Sequence, residues 1–254
     1  MSDWTITPSF VDSAIAARLP CLDAAFEAEG ERITRDQISE VIRIDCDGTR
    51  YYLKRYIGRG LHIRRLLWVT RIESEWRNLL HFACWGVPTA DIVAYGQQRR
   101  FGVFIRGAMI TREIPDTLDL ERLARQRPEV LHTRAHFDNI CRQLAFVVRT
   151  LHAHRFTHND LHWRNVLYRP DSGELFLIDC PNGHFWRWPV LGYRIVKDLA
   201  SLDKVARQYL TRTARARFLL AYRGILRLDP PTKKLARQVL RAHTRRALRK
   251  RLGF

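Results

Sequence analysis

Between Thr157 and Cys180 the chain reads THNDLHWRNVLYRPDSGELFLIDC. His158, Asn159, Asp160 and His162 crowd together, Asn165 follows shortly after, and Asp179 closes an apolar run. Three chemistries compete for these residues. His158 and His162 have the spacing of two metal ligands on a helix, but the glutamate of an H-E-x-x-H motif is missing and the carboxylate stands at an unsuitable offset. A polar turn, with Asp160 and Asn165 satisfying local backbone, would account for a lone Asp and a lone Asn but not for Asp179. Phosphoryl transfer uses all three. It needs a base near the acceptor hydroxyl and oxygen ligands for Mg²⁺ near the phosphates. Asp160, in the loop after a long helix, is placed to be that base. Asn165 offers an amide oxygen to Mg²⁺. Asp179, at the end of the short strand ELFLI after the turn RPDSG, aims a carboxylate at the same ion.

Such a site makes a demand upstream. A lysine on a strand must grip the nucleotide phosphates, and a glutamate on the following helix must hold that lysine. Lys54 lies in YYLKRY, on the same face of its strand as Tyr52 and Tyr56. Glu75 lies further on, in RIESEWRNLL. Glu73 shares that helix and is the alternative partner; Glu75 is preferred.

The elements that would carry these residues follow from the hydrophobic pattern. Residues 1–30 read as an N-terminal extension with a helical stretch from Ala14 to Ala28. Two β-rich runs flank Asp47-Gly48, a strong hairpin signal because both turn residues need positive φ. Leu61 to Cys84 has helical spacing, stopped by Gly86 and Pro88. TADIVAYG and FGVFIRGAMITREI read as two more strands. Beyond about Asp116 the pattern turns helical, and the helix from Phe137 to His154 gathers Ile140, Leu144, Val147, Val148 and Leu151 on one face. This order predicts an α+β chain: a small sheet lobe with one key helix over 31–115, and a larger helical lobe over 116–254.

Composition narrows the partners. The chain has 254 residues, 46% hydrophobic and 28% charged, with net charge +18. It should therefore fold around a sizeable core. From Ser201 to Phe254 there are 16 Lys or Arg against only Asp203 and Asp229. That asymmetry points to an anionic partner: nucleic acid, a phospholipid surface or a phosphorylated substrate. No helix-turn-helix, RRM or zinc signature supports nucleic acid. The five cysteines are scattered without C-x-x-C spacing, as expected of reduced thiols in the cytosol. We expect no signal peptide and no membrane-spanning segment. The run PPTKKLARQVLRAHTRRALRKRLGF carries nine Lys or Arg and no acid, with Leu235, Val239, Leu248 and Leu252 at rough helical spacing. A basic amphipathic helix of this kind can lie on an anionic membrane surface, or pack on its own domain with solvated arginines. RGLHIRRLLWVTR, before Glu75, is a second such stretch. Nothing in the sequence sets an oligomeric state.

HNDLHWRN…LID resembles the catalytic loop and metal-binding strand of the protein-kinase-like superfamily. His162, in place of the usual lysine, is similar to antibiotic and choline kinases. Together with YYLKRY, ESEWRNLL and GVPTADIVAYG, the pattern resembles the bacterial lipopolysaccharide core kinases, the Kdo kinase and heptose kinase family, over roughly residues 32–205. KDLASL resembles the superfamily helix whose aspartate, here Asp198, braces the catalytic loop. The resemblance implies a bilobal kinase-like fold and ATP-dependent phosphorylation of a hydroxyl on an inner-core sugar, heptose before Kdo. It implies Asp160 as base, Asn165 and Asp179 as Mg²⁺ ligands, and Lys54 on the phosphates, oriented by Glu75. The backbone around Thr111 to Ile114, including Glu113, would meet the adenine. It further implies a cytoplasmic enzyme, peripheral on the cytoplasmic face of the inner membrane, where a lipopolysaccharide acceptor is presented.

The chain also departs from the superfamily pattern. No G-x-G-x-x-G precedes Lys54, so the loop from Arg35 to Ser39 must cover the phosphates by other means, with Arg35, Gln37 and Ser39 as candidates. Cys180-Pro181, not Phe-Gly, follows Asp179, and Pro181 stiffens the segment. The stretch between Asp179 and Asp198 is short and holds no Ser or Thr. A protein kinase uses a longer, phosphorylatable segment there. The short stretch favours a small or glycan acceptor over a protein kinase activity. The intact Lys54, Asp160, Asn165 and Asp179 set speaks against a nucleotide-binding pseudokinase scaffold.

Overall fold

The computed structural model describes residues 2–58 and 69–251, with side chains to residue 242. Two units divide the chain: Met1–His81 with Thr89–Pro115, and Phe82–Pro88 with Asp116–Phe254.

The first unit is built on an antiparallel sheet of six strands: β1 (Ser2–Ile6), β2 (Glu31–Arg35), β3 (Ser39–Cys46), β4 (Thr49–Ile57), β5 (Ile92–Arg100) and β6 (Val103–Arg112). Their order is β1-β5-β6-β4-β3-β2. The β3–β4 turn is the expected Asp47-Gly48 pair, with φ of 48° and 71°. Both are left-handed, which keeps the two strands in the twist of the sheet. The segment read from sequence as an N-terminal extension contributes β1, which pairs with β5 from Ser2↔Gln98 to Ile6↔Ala94. Gly96 permits this edge, because a Cβ there would stand 1.9 Å from the Asp3 carbonyl oxygen.

The helix expected over Ala14–Ala28 is instead two, α1 (Ala14–Arg18) and α2 (Leu22–Glu27). Pro20 has no N–H to continue the ladder and pushes Leu19 out of helical geometry, to φ −124° and ψ 62°. Ile15, Leu22, Ile42, Leu53, Val93 and Ile110 fill the core between these helices and the sheet. Arg55 ties them together by donating to the carbonyls of Ala25 and Ala28, the last turn of α2. Burial pushes its guanidinium pKa down, against the raising effect of Glu40.

α3 (Arg71–Cys84) begins after Thr70, whose hydroxyl accepts the Glu73 N–H at 3.2 Å. The earlier part of the predicted helix, and most of RGLHIRRLLWVTR, lies outside the described residues. Gly86, at φ 68°, closes α3, and the Val87 N–H returns to the Phe82 carbonyl.

The second unit carries α4 (Leu120–Gln126), α5 (Pro128–His132), α6 (Arg134–Ala153), α7 (Val190–Tyr209), α8 (Arg212–Arg223) and α9 (Pro230–Arg251). Short strands β7 (Leu118–Asp119), β8 (Phe156–Thr157), β9 (Val166–Arg169), β10 (Glu174–Leu177) and β11 (His184–Phe185) lie among them. α6 buries Ile140, Leu144, Val147, Val148 and Leu151, the face its periodicity predicts. In α9, Thr232 and Val239 are buried while Lys233, Lys234, Arg237 and Arg241 are exposed. The described part of this helix thus turns apolar Val239 into its own unit and its cations outward; the side chains of Arg245 to Arg251 lie outside the described residues. Among the described residues no helix is long and apolar enough to cross a membrane.

Candidate active site

In the second unit, the loop after α6 is pinned before it reaches Asp160. β8 pairs with β11, Thr157 opposite His184. Asn159 then takes a left-handed φ of 62°. That conformation suits Asn better than most residues. The Asn159 amide donates to the Asn182 carbonyl at 2.8 Å.

Asp198 holds the same point from α7. Its carboxylate, only 1% exposed, accepts the His158 N–H at 2.8 Å and the Asn159 N–H at 2.9 Å. His152 Nε2 lies 3.6 Å from that carboxylate, and His152 Nδ1 meets the Tyr222 hydroxyl at 2.8 Å. Burial pushes the Tyr222 hydroxyl up to about 12, so it stays protonated. His158 is fully buried, and burial lowers its pKa against the opposing pull of Asp198, Asp179 and Asp160. Three carboxylates favour the charged imidazole, and burial outweighs them.

Asp160 follows on the accessible side of the loop. His162 Nε2 sits 3.1 Å from Oδ1, and Arg164 Nη2 sits 3.1 Å from Oδ2. Each carboxylate oxygen has two lone pairs, so the clamp orients Asp160 and leaves it able to accept a further proton donor. Sequence reasoning missed this clamp; the signal was Arg164 four residues beyond Asp160.

The Asn165 side-chain N–H donates to the Asp160 carbonyl at 2.8 Å. That assignment turns the amide oxygen the other way. The Asn165 carbonyl in turn accepts the Ile178 N–H at 2.9 Å, which stitches the strand end before Asp179 to the loop. Asp179 itself is left-handed, at φ 58°. The β9–β10 hairpin that delivers it turns at Gly173, φ 73°, whose carbonyl accepts from Asn139 and Gln143 of α6. Asp160, Asn165, Asp179 and Asp198 are thus brought together in one unit. No group of three or more His, Cys, Asp or Glu side chains gathers at metal-binding distance among the described residues. One amide oxygen and one carboxylate nevertheless suit an ion such as Mg²⁺, which takes one or two protein oxygens and fills the rest with phosphate and water.

In the first unit, Lys54 Nζ lies 2.8 Å from Glu75 Oε1, and Glu75 is only 3% exposed. Glu73, on the same helix, is engaged elsewhere, by Arg77 of α3 at 2.6 Å and by Arg99 of β5 at 3.2 Å. At the β2–β3 turn, Arg35 and Gln37 are exposed. Asp36 accepts the Ile38 and Ser39 N–H groups at 2.7 Å each, and the Ser39 hydroxyl at 2.8 Å. These bonds, the Ile38 N–H foremost, hold the Asp36 carboxyl below the usual range. A glycine loop would leave such amides to a phosphate; here a carboxylate has taken them. Thr111 pairs with Tyr52 within the sheet. The Glu113 N–H donates to the Arg50 carbonyl at 2.8 Å, and its carboxylate accepts the Tyr52 hydroxyl at 2.9 Å.

The family model described as "Lipopolysaccharide kinase (Kdo/WaaP) family" matches residues 22–222. No curated protein matches the chain. Among solved structures the chain is similar to one titled "WaaP in complex with acyl carrier protein", at 21% identity, over 97% of this chain and 98% of that one, with a TM-score of 0.74.

Proposed function

Because the chain belongs to the lipopolysaccharide kinase (Kdo/WaaP) family, whose members are phosphotransferases acting on the lipopolysaccharide core, we propose that it transfers the γ-phosphoryl group of ATP to a hydroxyl of an inner-core heptose. Kdo is the second choice of sugar. The observation that carries the reading is the stitched set in the second unit: Asp160 clamped by His162 and Arg164, with Asn165 bonded to both Asp160 and Ile178.

Asp160 accepts the proton of the attacking sugar hydroxyl. His162 and Arg164 hold its two oxygens in register for that approach. Asn165 and Asp179 would hold Mg²⁺, which would supply positive charge against the oxygens of the transferring phosphoryl group. Lys54 grips the nucleotide phosphates, and Glu75 fixes Lys54. Arg35 and Gln37, at the exposed turn, take the covering role, since Ser39 is held by Asp36. The backbone of Thr111 and Glu113 would meet the adenine. The stretch between Asp179 and Asp198 contains a two-residue strand and the first turns of α7. That composition supports a glycan acceptor over a peptide. The exposed cations of α9 support a peripheral position on an anionic membrane, where each contributes about 1 kcal/mol near the surface.

Cells with and without the gene test the reading. Mass spectrometry of the inner-core oligosaccharide should show one phosphate lost, on heptose, when the gene is absent. The protein should fractionate with membranes and leave them at about 0.5 M salt, where the Debye length is only a few ångströms. An unchanged core oligosaccharide would remove the proposed activity.

The Lys54–Glu75 pair yields a separate expectation. Lys54→Met removes a positive charge 2.8 Å from a carboxylate that is 3% exposed, which should cost on the order of 3 kcal/mol. Adding Glu75→Gln neutralises that charge. The double variant should recover most of the thermal midpoint and none of the phosphoryl transfer, because only Lys54 meets the nucleotide. Recovery of activity in the double variant would show that Lys54 serves the fold alone.

A further inference from the structure

A cavity of about 680 Å³ opens beside Asp160 in the second unit, bounded by α7 and α9. Nothing in the proposed chemistry of Asp160, Asn165 and Asp179 uses it. Its volume is within the usual range for small-molecule sites, roughly 300–1,000 Å³. Its charge is one-sided. Lys197, Ser201 and Lys204 line it from one stripe of α7, at helical spacing, and Arg194 joins them from the preceding turn. Two carboxylates border it. Asp198 spends its oxygens on the His158 and Asn159 N–H groups, and Asp160 is bracketed by His162 and Arg164. Lys197 and Lys204 line it and are exposed, and among the described residues neither is ion-paired with a carboxylate.

The rim supplies a second and independent feature. Trp188 is 67% exposed and Tyr193 57% exposed, although both are large aromatics. Gly192 lines the cavity, and a Cβ there would stand 2.6 Å from the Trp188 ring, so the absence of a side chain lets the indole edge pack against the start of α7. Lys197 Nζ sits 5.5 Å from the Tyr193 ring centroid, and Arg194 stacks over Trp186 at 4.2 Å. Exposed aromatic faces beside polar side chains are what pyranose rings stack upon. Cations next to them suit an acidic substituent on the same glycan.

We infer that this cavity is the acceptor subsite, and that Lys197 and Lys204 read an anionic group, carboxylate or phosphate, on the glycan whose hydroxyl is presented to Asp160. The inference rests on the sugar-kinase reading and adds to it the chemical class that is selected: an acidic oligosaccharide, not a neutral one. Lys197 and Lys204 are binding residues here, and the phosphoryl transfer itself does not pass through them.

The test uses the full chain and the variant Lys197→Gln/Lys204→Gln, with Lys197→Arg/Lys204→Arg as the charge-retaining control. The acceptors are delipidated core oligosaccharide, the same material carboxyl-reduced, and the same material treated with phosphatase. Removing the group that is read should raise the wild-type KM for acceptor about tenfold or more, and whichever treatment does so identifies it as carboxylate or phosphate. The Gln variant should show that raised KM on intact acceptor and no further rise on the treated one. Its kcat and its KM for ATP should stay within about twofold of wild type, and the Arg variant should resemble wild type. Equal KM for wild type and Gln variant on intact acceptor overturns the inference while turnover by wild type preserves the kinase reading. If wild type turns over no acceptor, the kinase reading fails, and tryptophan fluorescence titration with the same three oligosaccharides decides the subsite alone. Lysine-dependent binding supports it, and lysine-independent or absent binding overturns it.

Discussion

Asp160→Asn should lower phosphoryl transfer to delipidated core oligosaccharide by at least about 10²-fold, the scale of a positioned general base. The change keeps shape and volume. It removes the negative charge and one of the two acceptor oxygens, which are held 3.1 Å from His162 and 3.1 Å from Arg164. The side chain is partly exposed, and neither ion pair is deeply buried, so the thermal midpoint should move by no more than a few degrees. Nucleotide affinity should be unaffected, since the groups proposed to hold ATP and its metal are Lys54, Asn165 and Asp179, and the change leaves all three in place. A loss of transfer with intact nucleotide affinity and a near-native melt therefore isolates the proton-accepting step. Transfer within about threefold of wild type, measured by ³²P incorporation, would take the base role from Asp160.

Parts of this arrangement are legible in the chain because they are local. Asp160, Asn165 and Asp179 are separated by a turn and a short hairpin, so their order nearly determines their proximity. Lys54 and Glu75 follow the same logic, being a strand residue and a residue of the next described helix. Features set by distant partners are not legible in this way. SDWTI is short and half polar, and it becomes a strand only because Ile92–Arg100 offers an open edge far along the chain. Pro20 marks the split of the N-terminal helix, yet the apolar spacing continues through it on both sides, so periodicity alone predicts one helix where the breaker makes two. Asp36 passed unnoticed because its role, capturing the amides of its own turn, requires the backbone to fold back on it. The cavity beside Asp160 needs α9 laid along α7, which no local pattern announces.

Asp198→Ala should be the most damaging single change outside the residues that meet substrate. The Asp198 carboxylate is 1% exposed and accepts two backbone N–H groups, at 2.8 Å from His158 and 2.9 Å from Asn159. Hydrogen bonds to a charged group contribute about 1.5–3 kcal/mol each, and unpaired buried donors carry their full desolvation cost. A loss on the order of 4 kcal/mol follows, which in a chain of this size lowers the thermal midpoint by about 10 °C. Asn159 is left-handed at φ 62°, and without the anchor its peptide loses the bond that accompanies that geometry. Asp160 is the next residue, so kcat should fall about 10²-fold or more even well below the melt, with KM for ATP little changed. Asp198→Asn keeps one acceptor oxygen and should lie between wild type and Asp198→Ala in both midpoint and kcat. Tyr222→Phe, which removes only the hydroxyl 2.8 Å from His152, should be milder than either. That ranking separates a positioning residue from a bystander of the core. A cavity alone would lower the midpoint of Asp198→Ala and leave kcat at low temperature intact, and that outcome would show that the loop holds Asp160 without Asp198.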